Sequence, residues 1–371
     1  MKIVEVEAMV LRQPEVRLIG DGTQDCCIVK VKTDEGIVGI GESQTSPFVI
    51  KAIIDAPDSH VRSRGLARII LGEDPFNVER IWQKMYSETS VYGRRGVVIH
   101  AMSAIDMALY DIMGKALGIP VYKLLGGKFR DKVKAYASTL MPEAEEEAVK
   151  EVIRWVEKGF KAVKVGWGPL GHSVEQDYRF MKACRKAVGD DVDLMVDIGY
   201  GGDRRKAFEL ARLLEELNIY FLEEPLSPDD LDGFAELSSR VDIRIATGEK
   251  ETTYFGFRDL IERGKVDVIQ PDISRVGGFT EAKKIASLAS AKGALCIPHC
   301  WSTDILVAST LHFIVSQPEI PYLEFCVWPT PLRRFVAKDP IECVDGYVRV
   351  PEGPGLGIEL NEKIVEQFRV A

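Results

Sequence analysis

DLMVDIG at 193–199, YFLEEP at 220–225 and RIATGE at 244–249 decide how this chain is read. Each is a short apolar run that closes on a carboxylate (Asp197, Glu223 and Glu249), and each is separated from the next by an amphipathic stretch with helical spacing. That alternation marks repeated βα units. Working outward, five further runs have the same character: VKAYAS (133–138), KAVKV (161–165), VDVIQPD (266–272), ALCIPH (294–299) and YLEF (322–325). Helical candidates between the runs include EEEAVKEVIRWVEKG, RRKAFELARLLEELN and TEAKKIASLASAKG, each stopping near a Gly or Asn that suits a helix end. Eight such alternations over roughly 200 residues predict an α/β fold, a parallel (β/α) barrel of the TIM type.

Residues 1–60 read differently. KIVEVEAMVLR, CCIVKVKTDEG and GIVGIGES alternate like antiparallel strands, with DEG as a hairpin turn. Residues 75–119 are helical by period, above all VVIHAMSAIDMALYDIMGKALG, whose apolar face is wide enough to be buried. The expected organisation is therefore an N-terminal α+β domain over 1–128, completed by about 340–371, and a barrel domain over 129–339. The C-terminal segment, GYVRVPEGPGLGIELNEKIVEQF, falls beyond the eighth run and is expected to return to the N-terminal domain.

At 371 residues, 46% hydrophobic and 28% charged, the chain has the balance of a globular protein with a large core. Its 48 basic and 57 acidic residues give a net charge of -9 without a Lys/Arg block, so neither nucleic acid nor a membrane surface is an expected partner. Glu5 and Glu7 interrupt any signal-peptide core and no run is expected to reach transmembrane length, which reads as cytoplasmic. The seven cysteines form no CxxC pair, so they are expected to be small buried residues rather than a disulfide framework or zinc site.

Polar residues at the ends of the apolar runs carry the chemistry. Lys164, Asp197, Glu223, Glu249, Asp272, His299 and Glu324 stand at or just past the C-terminal ends of successive runs, and from Asp197 onward they are 26, 26, 23, 27 and 25 residues apart. All are thus expected at one mouth of the barrel, the face where barrel active sites lie. A single carboxylate there is as readily a helix cap or a lysine partner. Three from consecutive units, Asp197, Glu223 and Glu249, point instead to oxygen ligands of one hard cation, for which Mg2+ is suited, because like charges crowded without a cation are costly. On the next two units, Asp272 can hold one imidazole nitrogen of His299 and leave the other as a general base. His100 and His312 lie on apolar helical patterns and read as packing residues; His60 and His172 read as loop residues.

At these residues the chain resembles the mandelate racemase-like branch of the enolase superfamily, over almost its whole length. The family's metal-ligand motifs match MVD, FLEEP and TGE; its Asp-His dyad matches QPD and IPH; its eighth-strand glutamate matches YLE. AMSAIDMALYDIMGKALGIPVYKLLGG is similar to the family's helix between the two domains. The resemblance implies an N-terminal domain that caps the barrel mouth, with loops around Arg17 to Gly22 and Glu42 to Phe48 choosing the substrate and Tyr92, Arg94 and Arg95 as further candidates to reach it. It also implies abstraction of a proton beside a carboxylate, with Mg2+, Lys164 and Glu324 stabilising the enediolate charge, and a homo-oligomer, octamer or dimer.

Two departures narrow the expectation. Racemases of the family carry Lys-x-Lys at the end of strand two, where this chain has Lys164, Val165 and Gly166, and Lys161 is out of phase as a substitute. A site with His299 as its one base suits one-faced chemistry: removal of an α-proton, of R configuration by analogy, then syn loss of the β-hydroxyl to give a 2-keto-3-deoxy acid. Gly199 replaces the Asn or His of many relatives, so the dehydratases that use that His as a separate acid are not matched, and Tyr200 is a candidate to supply a hydroxyl in its place. Lys250 and Arg275 have two readings, substrate-carboxylate anchor or structural ion pair. Trp167, Trp301 and Ser302 follow strand ends and are candidate pocket walls. The expectation is thus a lyase acting on a small acid sugar, with a cycloisomerase or epimerase, and further off a non-catalytic scaffold, as alternatives.

Overall fold

The computed structural model describes residues 1–199 and 201–371, so Tyr200 lies outside the described residues. Three antiparallel strands open the chain: β1 (Ile3–Arg12), β2 (Asp25–Thr33) and β3 (Val38–Ser43), paired in that order. The turn between β2 and β3 holds Gly36 at φ 80, as the DEG signal requires. Against this sheet packs the helix Val97–Leu117, which follows the helix Val78–Glu88. The approach is close because β3 carries glycines where it crosses the helix. A Cβ on Gly39 or Gly41 would lie 2.0 Å from the carbonyl oxygens of Ala108 and Ala104.

The expectation that no stretch reaches membrane-spanning length is corrected here. Val97–Leu117 is long and apolar enough to cross a bilayer by length and composition. Every residue from Val98 to Gly114 is buried inside the protein, between β3 and the barrel helix Gly278–Lys292, so its apolar character is explained by packing.

The eight apolar runs form the parallel strands of the barrel: β4 (Lys132–Leu140), β5 (Ala162–Gly166), β6 (Asp193–Asp197), β7 (Phe221–Glu223), β8 (Arg244–Thr247), β9 (Val268–Ile269), β10 (Leu295–Cys296) and β11 (Leu323–Cys326). β4 through β10 pair in sequence and β11 pairs with β4. β9 and β10 are shorter than their apolar runs. Pro271 and Pro298 lack the N–H that a ladder needs, and the chain leaves the sheet just ahead of each. Across the seam between β10 and β11, the Cys300 N–H donates to the Glu324 carboxylate at 2.8 Å. The intervening helices match the sequence pattern: Glu145–Glu157, Arg204–Glu215 and Gly278–Lys292 end beside Gly159, Asn218 and Gly293, all at positive φ.

The C-terminal segment divides its contacts. β12 (Cys343–Val344) and β13 (Tyr347–Arg349) form a hairpin that adds antiparallel to β4, extending the barrel's own sheet. The rest returns to the N-terminal domain: Leu356 N–H donates to Asp111 on Val97–Leu117, Lys30 of β2 pairs with Glu362, Val10 N–H donates to the Ala371 carbonyl and Val370 N–H to that of Val10. Six of the seven cysteines are buried and all seven are free, as a small-residue role requires.

The cap is fastened to the barrel by buried carboxylates. Glu42, at the end of β3, accepts from Thr303 Oγ1 (2.6 Å) and Leu306 N–H (3.0 Å) at the start of the barrel helix Asp304–Val315. Asp106, on Val97–Leu117, accepts from Thr280 Oγ1 (2.5 Å) and Thr280 N–H (3.2 Å) in the first turn of Gly278–Lys292. Orphan N–H groups of two barrel helices therefore find their acceptors in the other domain.

Candidate active site

An apolar layer plugs the barrel interior with one buried residue from each strand or its edge: Tyr136, Ala162, Met195, Phe221, Ala246, Val268, Ile297 and Tyr322. Side chains alternate along a strand, so the residue two positions further on faces the same interior, one layer nearer the mouth. Those residues are Ser138, Lys164, Asp197, Glu223, Gly248, Gln270, His299 and Glu324. The polar ring is thus fixed by strand phase. Lys161 has the opposite phase and is exposed outside the barrel.

Asp197 and Glu223 are cross-strand partners on β6 and β7, and Glu249 follows β8. All three are buried, and one ligand oxygen from each lies within 4.8 Å of the others. Lys164 Nζ sits 2.8 Å from both oxygens of Glu223 and 2.8 Å from Glu324 Oε1, and Ser138 Oγ donates to the same Glu324 oxygen at 2.7 Å. Burial pushes Asp197 up to about 6, with Lys164 opposing and Glu249 adding to the rise. It pushes Glu223 up to about 8 against the pull of Lys164, with Asp197 and Glu324 adding to the rise. Such crowding strains the ionised forms, and a divalent cation among the three oxygens would relieve it. The donor set, all hard oxygen, fits Mg2+.

His299 Nδ1 lies 2.7 Å from Asp272 Oδ2, and its Nε2 lies 3.0 Å from Glu249 Oε2. Asp272 Oδ1 accepts from the Ser274 N–H (2.7 Å) and hydroxyl (2.6 Å), so the carboxylate cannot turn. Burial opposes charge on His299, but Glu249 and Glu324 face it and raise it to about 10. Glu249 goes the other way: burial would raise it, yet His299 and Lys250 beside it hold it well below the usual carboxylate range.

The cavity above this ring measures about 380 Å³, within the range of small-molecule sites. Its walls include Lys164, Asp197, Glu249, His299 and Glu324 from the barrel, and Ile19, Asp21, Gln44 and Thr45 from the two cap loops. Lys250 and Arg275 line it as well; Lys250 is engaged, and Arg275 in part, since its buried Nε has no hydrogen-bond partner. Lys250 Nζ contacts Glu224 Oε2 (2.7 Å) and the Gly199 carbonyl (2.8 Å), and Arg275 Nη1 donates to the Glu249 carbonyl (2.8 Å) with Nε 3.5 Å from Asp272. Trp301 lines the cavity, its Nε1 3.3 Å from Asp21 Oδ1; Trp167 lines it too, in a left-handed conformation at φ 58.

Tyr92 and Arg94 are corrected. Neither lines the cavity: Tyr92 OH donates to the Arg64 carbonyl at 2.7 Å and Arg94 is exposed, because the turn after Val78–Glu88 faces solvent. Glu224 was missed. This fully buried residue at φ 52 accepts from Thr247 Oγ1 (2.6 Å) as well as Lys250 and so braces the loop that carries Glu249; the doubled carboxylate of FLEEP was its only signal.

Gly166 occupies the place of the second lysine, and the structure shows why it is small. A Cβ there would lie 2.9 Å from Asp197 Cβ.

Residues 3–126 match the mandelate racemase / muconate lactonizing enzyme N-terminal domain, and residues 147–364 match the enolase C-terminal domain-like family. The chain is 34% identical over 355 residues to the D-galactarolactone cycloisomerase of Agrobacterium fabrum, covering 92% of this chain and 91% of that one. It is 35% identical over 349 residues to the L-rhamnonate dehydratase of Saccharopolyspora erythraea, covering 91% and 83%. Among solved structures, the 3,6-anhydro-D-galactonate cycloisomerase from Zobellia galactanivorans superposes with a TM-score of 0.90 at 36% identity, covering 100% of both chains. With a three-stranded cap, a (β/α) barrel and matches along nearly its full length, the chain belongs to the mandelate racemase/muconate lactonizing enzyme family of the enolase superfamily.

Proposed function

We propose that the protein is an Mg2+-dependent acid-sugar dehydratase, in which Asp197, Glu223 and Glu249 hold the metal and His299, oriented by Asp272, is the base. The observation that carries the reading is the one-sidedness of the site. His299 presents an imidazole to the cavity, and the position that would hold a base on the other side is Gly166. Bound Mg2+ supplies positive charge to the substrate carboxylate as its α-proton leaves. A cation held by Glu249 would offset the charge that raises His299, and the Nε2 of the neutral imidazole then takes that proton while Asp272 fixes the tautomer through Nδ1. The imidazolium then returns the proton to the β-hydroxyl on the same face, the Cβ–O bond breaks, and water departs. An enol remains and tautomerises to the 2-keto-3-deoxy acid. Lys164, fixed between Glu223 and Glu324, keeps a cation beside the forming oxyanion.

The test is a screen of sugar acids with magnesium, read as keto acid by semicarbazide and repeated with His299→Asn. The variant is expected to lose turnover and keep metal binding; unchanged turnover removes His299 from the mechanism. A second reading, cycloisomerisation, is supported by the names of two relatives, the D-galactarolactone and 3,6-anhydro-D-galactonate cycloisomerases. A protein of that kind would turn over a lactone or anhydro acid with deuterium entering from solvent and would leave simple sugar acids unchanged.

A further inference from the structure

The catalytic ring leaves the cap side of the cavity without an assignment. Two side chains there have unused hydrogen-bonding capacity. Asp21 is only 6% exposed; its Oδ1 accepts from the Thr23 N–H (2.8 Å), the Thr23 hydroxyl (2.7 Å) and Trp301 Nε1 (3.3 Å), whereas its buried Oδ2 has no partner. Gln44, also 6% exposed, has a buried Nε2 with no partner. Both line the cavity, and they flank Gly22, where a Cβ would lie 2.4 Å from Gln44 Oε1. A buried polar atom without a partner is uncommon in a folded protein, and two at one wall of a cavity mark a place where a ligand supplies the missing partners. An acceptor and a donor offered by the two cap loops complement the hydroxyl groups of a ligand, which can give a hydrogen to Asp21 Oδ2 and take one from Gln44 Nε2.

The charges in the cavity sharpen the assignment. Among the described residues, its cationic walls are Lys164, Lys250, Arg275 and, with its basicity raised, His299, and each lies within 3.5 Å of a carboxylate. All four belong to the barrel, whereas the one charge that the cap brings to the cavity is the carboxylate of Asp21. We propose that this wall selects sugar acids with a single carboxylate, aldonates with a neutral hydroxyl-bearing far end, and rejects the corresponding diacids, aldarates. The proposal rests on the dehydratase reading and adds to it the substrate's far terminus. Like charges brought together without a cation are strongly unfavourable, so discrimination comes from repulsion of the diacid as well as attraction of the monoacid.

The test uses a panel of aldonate and aldarate pairs that differ only at the far terminus, such as gluconate against glucarate and galactonate against galactarate. Binding is measured by calorimetry on the Mg2+-loaded His299→Asn protein, and keto acid formation is measured in parallel on the wild type. In each pair that binds, the monoacid is expected to bind about 100-fold more tightly. Adding Asp21→Asn, which keeps the Oδ1 contacts, should narrow the gap about tenfold by tightening the diacid; Gln44→Glu, which adds a charge, should widen it. A diacid that binds as tightly as its monoacid, a gap that neither variant moves, or a panel in which nothing binds overturns the assignment. A monoacid preference that responds to both variants, with no keto acid formed by the wild type, supports the assignment and refutes dehydration alone.

Discussion

Asp272→Asn is the most searching perturbation of the dyad, because the surroundings dictate how the amide must lie. The Ser274 N–H and hydroxyl donate to one oxygen of Asp272 at 2.7 and 2.6 Å, so the amide oxygen of an asparagine takes that side. Its NH2 then points at His299 Nδ1, now 2.7 Å from Asp272 Oδ2, and towards Arg275 Nε at 3.5 Å. A donor facing Nδ1 forces that nitrogen to accept, which moves the ring proton to Nε2. The atom that should remove the α-proton would already carry one. Turning the amide over only shifts the mismatch to the Ser274 N–H. A wrong-tautomer histidine of this kind lowers kcat by about 10⁴-fold in a Ser-His-Asp site, which sets the expected scale. The assay is keto acid formation under saturating Mg2+, with metal affinity measured alongside because none of the three ligands is altered. Retention of more than a tenth of kcat, with folding and metal binding intact, would refute the tautomer argument.

Gly166→Lys, offered as a second base, should fail to create a racemase: its Cβ would sit 2.9 Å from Asp197 Cβ, and overpacking on the scale of about 1–3 kcal/mol predicts Mg2+ affinity lowered by about 5- to 150-fold, measured by titration with Gly166→Ala as the steric control. Metal binding at pH 7 should release protons, since burial holds Glu223 near 8 and Asp197 near 6 before a cation arrives; calorimetry in two buffers of different ionisation enthalpy reads the number, and zero release would contradict the crowded-carboxylate account. Glu42 is pushed up from 4.5 to about 7, chiefly by burial, against hydrogen bonds from Thr303 and Leu306. A raised carboxyl contributes stability that is fully present below its unfolded value of 4.5 and lost as the pH rises through 7, so Glu42→Gln should gain on the wild type by up to about 3 kcal/mol between pH 4.5 and 8. Thermal midpoints at the two pH values check this, and a variant that falls further behind at pH 8 would mean the helix start favours the anion more than burial opposes it.

What the sequence made legible and what it hid follow from the range of the interactions involved. Lys164, Asp197, Glu223, His299 and Glu324 could be placed because strand phase is local: each stands two residues beyond an interior apolar side chain, and that spacing is visible in the string. The early ends of β9 and β10 were not read in this way: the runs VDVIQPD and ALCIPH pass through Pro271 and Pro298, ahead of which the chain leaves the sheet. Tyr92 and Arg94 went wrong because the direction of an exposed turn depends on packing that no periodicity encodes. Asp21 and Gln44 lie within loops expected to matter, yet neither could be singled out, since each acquires its meaning from the atom left without a partner after folding. The C-terminal hairpin on β4 was unreadable for the same reason: β13 has only three residues, and its partner is more than 200 residues away in the chain.

The carboxylates of Glu42 and Asp106 bear on how such proteins can be recombined. A cap exchanged from another family member would expose the first turns of two barrel helices unless the donor offered acceptors at both places. Those anchors also oppose a hinge that lifts the whole N-terminal domain, because opening would strand buried amide hydrogens at both sites. Ligand entry is therefore expected to proceed by local movement of the segment around Asp21. Chimeras that transplant this segment alone, leaving the anchors in place, are the ones expected to fold while acquiring a new substrate.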